Sequence, residues 1–235
     1  MSDPREGRAG IVATALCALA LACTGGAGSE PAATDSLRTD DTGHTLPAIA
    51  APARIVSLVP TLTEILFALG AGDRVVARSD FCDTPPEVRA LPSVGNGIRP
   101  PVEPLLAVRP DLVLLFAGAE NAASIERLRA LGVPVFAVRH NDFDDLERNI
   151  RRLGAITGRT READSLVAAI RAGLDSVAAR ARGQPPARVY YDLWGDPPHT
   201  VGGGSYLDRL IRIAGGVNVF GNLPQPSPRV QLEAI

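Results

Sequence analysis

Residues able to bind or react are few in this 235-residue sequence, and their types favour holding a molecule over transforming it. Three of the ten aromatic side chains, Phe81, Phe116 and Trp194, each fall at or just past the end of a short β-rich run. Flat apolar faces at such points can grip a planar macrocycle. Core packing is the competing use for Phe81 and Phe116. Arg139-His140-Asn141 follow another such run, over 134–138. A cation at Arg139 suits an anionic ligand, and a solvated loop is the plainer reading. His199, after Pro197-Pro198, carries an imidazole able to reach a bound metal centre, although a lone histidine more often serves structure. Glu103 and Glu233 each stand in the first turn of an expected helix. A carboxylate there stabilises the helix dipole by roughly 0.3–1 kcal/mol.

Patterns that would signal chemistry on the chain are missing. No His/Cys/Asp/Glu cluster has zinc-like spacing, so no resident metal is expected. There is no Gly-x-Ser-x-Gly elbow and no evident Cys–His pair, so no catalytic residue and no cofactor are expected. Gly202-Gly203-Gly204-Ser205 lacks the Gly-Lys-Ser/Thr ending of a phosphate loop and reads as a tight strand-to-helix turn. A net charge of −2 without a basic block gives no electrostatic case for a nucleic acid.

The elements that must position these residues begin after a leader. Arg5 and Arg8 precede an apolar run over 11–22, which has the length of a signal-peptide core and is short of a bilayer span. It ends Leu19-Ala20-Leu21-Ala22-Cys23, similar to a bacterial lipobox, so residues 1–23 read as an export signal with Cys23 as the lipidated residue. A signal cut without lipidation is the alternative, and either exports the chain to the periplasm or cell surface. Cys82 is then alone in the mature domain, which excludes an internal disulfide. Residues 24–52, rich in Gly, Ala, Ser, Thr, Pro and Asp, read as a flexible tether.

The sequence predicts an α/β domain of two Rossmann-like lobes joined by a single long helix, the second lobe incomplete. The first lobe spans 53–157. It opens on a short β-rich run, Arg54-Ile55-Val56-Ser57-Leu58-Val59, stopped by Pro60, and Thr61 and Glu64 have capping-box spacing for the helix that follows. Strands at 74–77, 111–116 and 134–138 alternate with helices, and the continuous apolar run ending at Phe116 suits a parallel strand covered on both faces. Residues 158–184 form the inter-lobe helix, with Leu166, Ile170, Leu174, Val177 and Ala181 on one stripe. A partial second lobe over 185–235 has a strand over 188–194, a run His199-Thr200-Val201 and a helix capped by Ser205 with Asp208. Another helix begins at 230–235, and the second lobe's two or so strands read as a C-terminally truncated lobe.

In order and spacing, several stretches together resemble the helical-backbone solute-binding proteins of ABC importers for cobalamin, ferric siderophores and haem. They are Arg54-Ile-Val-Ser-Leu-Val-Pro-Thr-Leu-Thr-Glu64, Ser79-Asp-Phe-Cys-Asp-Thr-Pro85, Glu103-Pro-Leu-Leu-Ala-Val-Arg-Pro-Asp111, Gly202-Gly-Gly-Ser205, Ala214-Gly-Gly-Val-Asn218 and Val230-Gln-Leu-Glu233. The Cys-Asp-x-Pro stretch and the Thr-x-x-Glu helix start are most similar to the cobalamin-binding branch. Leu193 and Gln225 depart from it, since aromatics are usual at both positions there. The resemblance implies a carrier that closes modestly around a corrinoid, or alternatively a ferric siderophore or haem, whose cobalt or iron would come with the cargo. The ligand-binding candidates are Phe81, Asp83, Phe116, Arg139, Trp194 and His199. The resemblance also assigns Glu103 and Glu233 to docking on an ABC permease dimer. It implies a monomer tied to the membrane through the lipid anchor. A chelatase-like enzyme and a structural lipoprotein are the readings from other classes.

Overall fold

The structure is a computed structural model that describes residues 33–47 and 51–235. The leader and Cys23 lie outside the described residues, as do 24–32 and 48–50 of the expected tether. In chain order the elements are α1 (Ala33–Arg38), β1 (Ile55–Ser57), α2 (Pro60–Ala68), β2 (Val75–Arg78), α3 (Val102–Ala107), β3 (Leu112–Phe116), α4 (Ala122–Ala130), β4 (Val135–Val138), α5 (Phe143–Thr157), α6 (Thr160–Ala181), β5 (Arg188–Val189), α7 (Tyr206–Ile213) and β6 (Val217–Asn218).

The first four strands form one parallel sheet in the order β2-β1-β3-β4. Their residues are apolar on both faces because both faces are covered. Ile55, Leu112, Leu114, Phe136 and Val138 pack against α2, α5 and the start of α6. Val56, Val113, Leu115, Val135 and Ala137 turn the other way, onto α3 and α4. Fully burying side chains of this kind stabilises by about 1.5–3 kcal/mol each. That makes this sheet the molecule's main source of stability.

Two expectations in this unit are corrected. The tether reading fails for 33–47, where α1 lies along α5 and the next residues are laid on the exposed edge of β4. The Asp41 N–H donates to the Ala137 carbonyl at 2.9 Å, the Ala137 N–H donates to Asp40 at 3.0 Å, and Arg129 reaches Asp40 at 2.6 Å. Polar bonds to a sheet edge leave no apolar periodicity in sequence, and composition alone reads them as a linker. The capping box at Thr61 and Glu64 does not form either. Pro60 is itself the first helical residue, so Thr61 is already inside the helix. Thr63 instead turns inward to donate to the Ser57 hydroxyl at 2.8 Å.

The helical stretch after β4 is two helices. Gly158 takes a left-handed φ of 71° and ends α5, and α6 starts two residues later. At 22 residues, α6 is about 33 Å long. Its first half seals the sheet through Ala163 and Val167, and its second half runs beside α7. The joining helix is therefore Thr160–Ala181, inside the expected 158–184.

The C-terminal unit is sparser than expected. Only Arg188 and Val189 of the predicted strand pair, in parallel, with Val217 and Asn218 of β6. Residues 190–194 leave the sheet for a hairpin in which Trp194 bridges His199, and His199 bridges Arg229. The helix expected over 230–235 is a single 3₁₀ turn, Leu232–Ala234. The predicted cap of α7 does form, with the Asp208 N–H donating to the Ser205 hydroxyl at 3.2 Å.

Candidate functional site

In the order β2-β1-β3-β4 the chain leaves β1 towards opposite sides, so the crevice beyond the carboxyl ends of β1 and β3 is a topological switch point. Segments following the four strands converge on this edge. They carry Pro60-Thr61 after β1, Phe81 and Asp83 after β2, Phe116 at the end of β3, and Arg139-His140 after β4.

Exposure separates the aromatic candidates from the core. Phe81 is 64% exposed and Trp194 63%, so neither packs in the interior. Phe116 is half-buried: it packs against the sheet cluster and also meets the His140 ring edge-on, centroids 4.8 Å apart. Asp83 pairs at 3.7 Å with Arg89, both well exposed, and its carbonyl accepts from Arg89. The Arg139 side chain is exposed and its backbone is tied on both sides. Its N–H donates to Asp41 at 2.6 Å and its carbonyl accepts from Asn149 at 2.6 Å.

His199 is drawn into structure. Its Nε2 accepts from Arg229 at 2.9 Å, and Nδ1 is enclosed without a hydrogen-bond partner among the described residues. Its ring lies 5.9 Å from that of Trp194, so Trp194 and His199 form one hairpin unit. Metal ligation through Nε2 would have to break the Arg229 bond, and Nδ1 is enclosed. Glu103 and Glu233 are both exposed, the first in α3 and the second in the closing 3₁₀ turn, and neither has an ion-pair partner among the described residues.

Three further features, one amide and two cavities, were not picked out from the sequence, although His140, which lines one of the cavities, was read there beside Arg139. Asn121, fully buried, accepts from the Arg99 N–H at 2.8 Å and donates to the Gly97 and Phe116 carbonyls, both at 3.1 Å. One amide thus fixes the end of β3 to the loop over 97–99. Nothing in sequence marks an Asn before a helix as more than a cap candidate. His140 lines a cavity of about 260 Å³ with Thr61, Asp142, Leu146 and Tyr206. Burial pushes its pKa below the ordinary histidine value, and the Asp145 carboxylate opposes this with a smaller effect. Tyr206 opens α7, so this cavity joins the two units. A second cavity of about 240 Å³ shares Asp142 and Tyr206 with it.

The units meet where α7 crosses the start of α5. Tyr206 stacks on Phe143 at 4.7 Å, and the Arg209 guanidinium sits 5.0 Å over the same ring and 3.4 Å from Asp144. Behind α7 the glycine stretches are structural. A Cβ on Gly202 would sit 1.9 Å from the Gln225 carbonyl, and one on Gly203 would sit 2.1 Å from that of Gly221. Buried Asp208 accepts from the Asn218 amide at 3.0 Å and pairs with Arg212.

Among the described residues no group of three or more His, Cys, Asp or Glu could hold a metal ion, and no helix is long and apolar enough to cross a membrane. The sequence pattern of the family described as "Periplasmic binding protein" matches residues 55–235. The vitamin B12-binding protein of Vibrio parahaemolyticus is 31% identical over 184 residues, which are 77% of this chain and 66% of that protein. The vitamin B12-binding protein of Yersinia pseudotuberculosis is 29% identical over 191 residues, 81% of this chain and 68% of its own length. Among solved structures, the periplasmic vitamin B12-binding protein of Vibrio cholerae superposes with a TM-score of 0.67 at 28% identity, covering 79% of this chain and 72% of that one. The periplasmic haem-binding protein of Roseiflexus in its apo form gives 0.70 at 28% identity, covering 77% and 71%.

Proposed function

Because this chain belongs to the periplasmic binding protein family, we propose that it is the substrate-binding component of an ABC importer and captures a corrinoid between its two α/β units. The observation that carries the reading is the pair of large aromatic faces left in water, Phe81 on one unit and Trp194 on the other. A corrin ring offers a flat apolar surface on which two such rings would pack. The names of the relatives support the corrinoid. The haem-binding neighbour supports haem as the second reading, with the same carrier role.

In this reading no bond is made or broken on the chain, and a chelatase-like activity is the outcome that adding a porphyrin and a free metal ion would reveal. Glu103 and Glu233 dock the carrier on a permease dimer, because two separated carboxylates fix orientation and speed encounter while adding little stability. Lipidation at Cys23 would keep the monomeric carrier at the membrane, in the periplasm or at the cell surface.

A thermal-shift and calorimetric panel of cyanocobalamin, cobinamide, haemin and a ferric siderophore tests the cargo. We expect a corrinoid to raise the melting temperature, and Trp194→Ala to weaken its binding about tenfold, the equivalent of roughly 1.4 kcal/mol. A panel in which no compound shifts the melting temperature sinks the carrier reading and favours a purely structural role. For docking, Glu103→Arg should spare ligand affinity and abolish stimulation of transporter ATPase activity. Equal loss of both would refute that division of labour.

A further inference from the structure

We propose that the cleft sorts its cargo by the charge at the rim of the macrocycle, accepting amide-bearing rings and rejecting carboxylate-bearing ones. The inference deepens the carrier reading and rests on it. Its basis is a feature that the two exposed aromatic side chains share. Phe81 stands between Asp80 and Asp83, and Trp194 stands between Asp192 and Asp196. All four aspartates are exposed, as are both aromatics. Each carboxylate is carried within two residues of its aromatic, at most about 8 Å between Cα atoms.

These carboxylates have acceptor capacity to spare. Asp80 accepts from the Ser93 hydroxyl at 2.5 Å, Asp83 from Thr84 at 3.4 Å and Asp192 from Tyr190 at 3.4 Å, while the Asp196 carboxylate accepts from no described residue. Two arginines touch the same surroundings, and both are engaged. Arg89 lies 3.7 Å from Asp83, and Arg229 donates to His199 at 2.9 Å. Four carboxylates against two guanidinium groups leave the surroundings of the aromatics negative.

A flat macrocycle held between two aromatic faces points its peripheral groups outward, where these carboxylates stand. A peripheral amide can donate to an ionised carboxylate, which only accepts. A peripheral carboxylate has nothing to donate. It also brings like charge into a space from which the macrocycle has displaced water, and repulsion strengthens as the local dielectric falls. Arg99 and Arg139, both exposed, are the opposing cations on the carboxyl edge of the sheet. They stand on segments other than those of Phe81 and Trp194, so an anionic rim meets the aspartates wherever the aromatics hold the macrocycle.

Calorimetric titrations with dicyanocobinamide and with dicyanocobyrinic acid provide the test. Both present the same corrin with cyanide on each face, and they differ at the periphery, amides in the first and ionised carboxylates in the second. At low salt the wild type should bind the amide form at least tenfold more tightly. The gap should narrow in about 1 M salt, where the screening length is about 3 Å. Asp80→Asn, Asp83→Asn, Asp192→Asn and Asp196→Asn combined should bring the two affinities within about threefold, chiefly by strengthening binding of the carboxylated form. Either pair of substitutions alone should close part of the gap, with circular dichroism confirming that each variant is folded. Equal binding of both forms by the wild type, a preference for the carboxylated form that Arg139→Gln removes, or a gap unchanged in the variants overturns the sorting role and leaves the carrier reading intact. Failure of both forms to bind overturns the sorting role and the corrinoid reading together.

Discussion

The two α/β units are built on different physics. The N-terminal unit surrounds four strands with helices on both faces, and its strand residues from Leu112 to Leu115 are essentially without solvent contact. The C-terminal unit pairs two strands of two residues each, and Val217 in one of them is 49% exposed. It is held by the buried Asp208–Asn218 contact and by glycines that let two loops touch. The first arrangement is cooperative and rigid, whereas the second depends on a few local contacts and should open at lower free-energy cost. In the proposed carrier role, that asymmetry would fix one wall of the cleft in advance and let the other adapt to the cargo.

The largest expected effect tests the asymmetry directly. Leu114→Ala removes a fully buried side chain from the centre of the sheet, and should cost about 2–5 kcal/mol in urea unfolding. Leu210→Ala, on half-buried α7, should cost less than about 1 kcal/mol, because little apolar area is lost there. Similar costs for both would mean the C-terminal unit has a core of comparable quality, and the contrast would fall.

Next comes the backbone contact. Gly202→Ala places a methyl group 1.9 Å from the Gln225 carbonyl, so the loop over 221–226 must move. Overpacking of this kind costs about 1–3 kcal/mol. Hydrogen exchange should accelerate over 200–226 and stay unchanged in β1 to β4. Acceleration throughout the sheet would show that the units unfold as one.

The same contrast decided what could be read from sequence. β1, β3 and β4 were legible because burial on both faces leaves unbroken runs such as Leu112 to Phe116. The joining helix was legible from its apolar stripe. The strand expected over 188–194 was not, because Tyr190 to Trp194 are β-formers by type and the neighbour that would pair them is absent from the described sheet. Asp40 and Asp41 were invisible for a different reason. Their partners, Arg129, Ala137 and Arg152, lie about a hundred residues away, and a polar latch has no period. Of the site residues, Phe81 and Trp194 are exposed, which sets them apart from the core-packing alternative. Sequence pointed to His199 as able to reach a metal centre, and only the hydrogen-bond pattern shows its Nε2 already engaged by Arg229.

A smaller effect asks whether the rigidity of the first unit extends to its carboxyl edge. Burial alone would raise the pKa of Asp41, but the Arg139 N–H and the Arg152 and Arg148 guanidinium groups more than offset it and hold the carboxyl below the ordinary range. Asp41→Asn keeps the size of the side chain and removes its charge, and should cost on the order of 1–2 kcal/mol. Exchange of the Arg139 and Asn141 amides should quicken, and cargo affinity should fall with them. Unchanged affinity alongside faster exchange would show that the latch stabilises the fold without positioning the loop.

The smallest effect is the pH dependence contributed by His140. Its pKa lies below the usual value near 6.5 because packing disfavours the charged ring, while Asp145 opposes this less strongly and Asp142 shares its cavity. As pH falls from above 6.5, the unfolded chain takes up this proton before the folded one does, so folding loses stability through the window between the two pKa values. The contribution is fully present above the unfolded value and lost at lower pH, the reverse of a histidine paired with a carboxylate. Urea unfolding at pH 7.5 and 5.5 should therefore show a smaller difference for His140→Gln than for the wild type. An identical difference in both would mean the ring is as well solvated folded as unfolded, and the cavity wall it forms would be softer than the sheet edge beneath it.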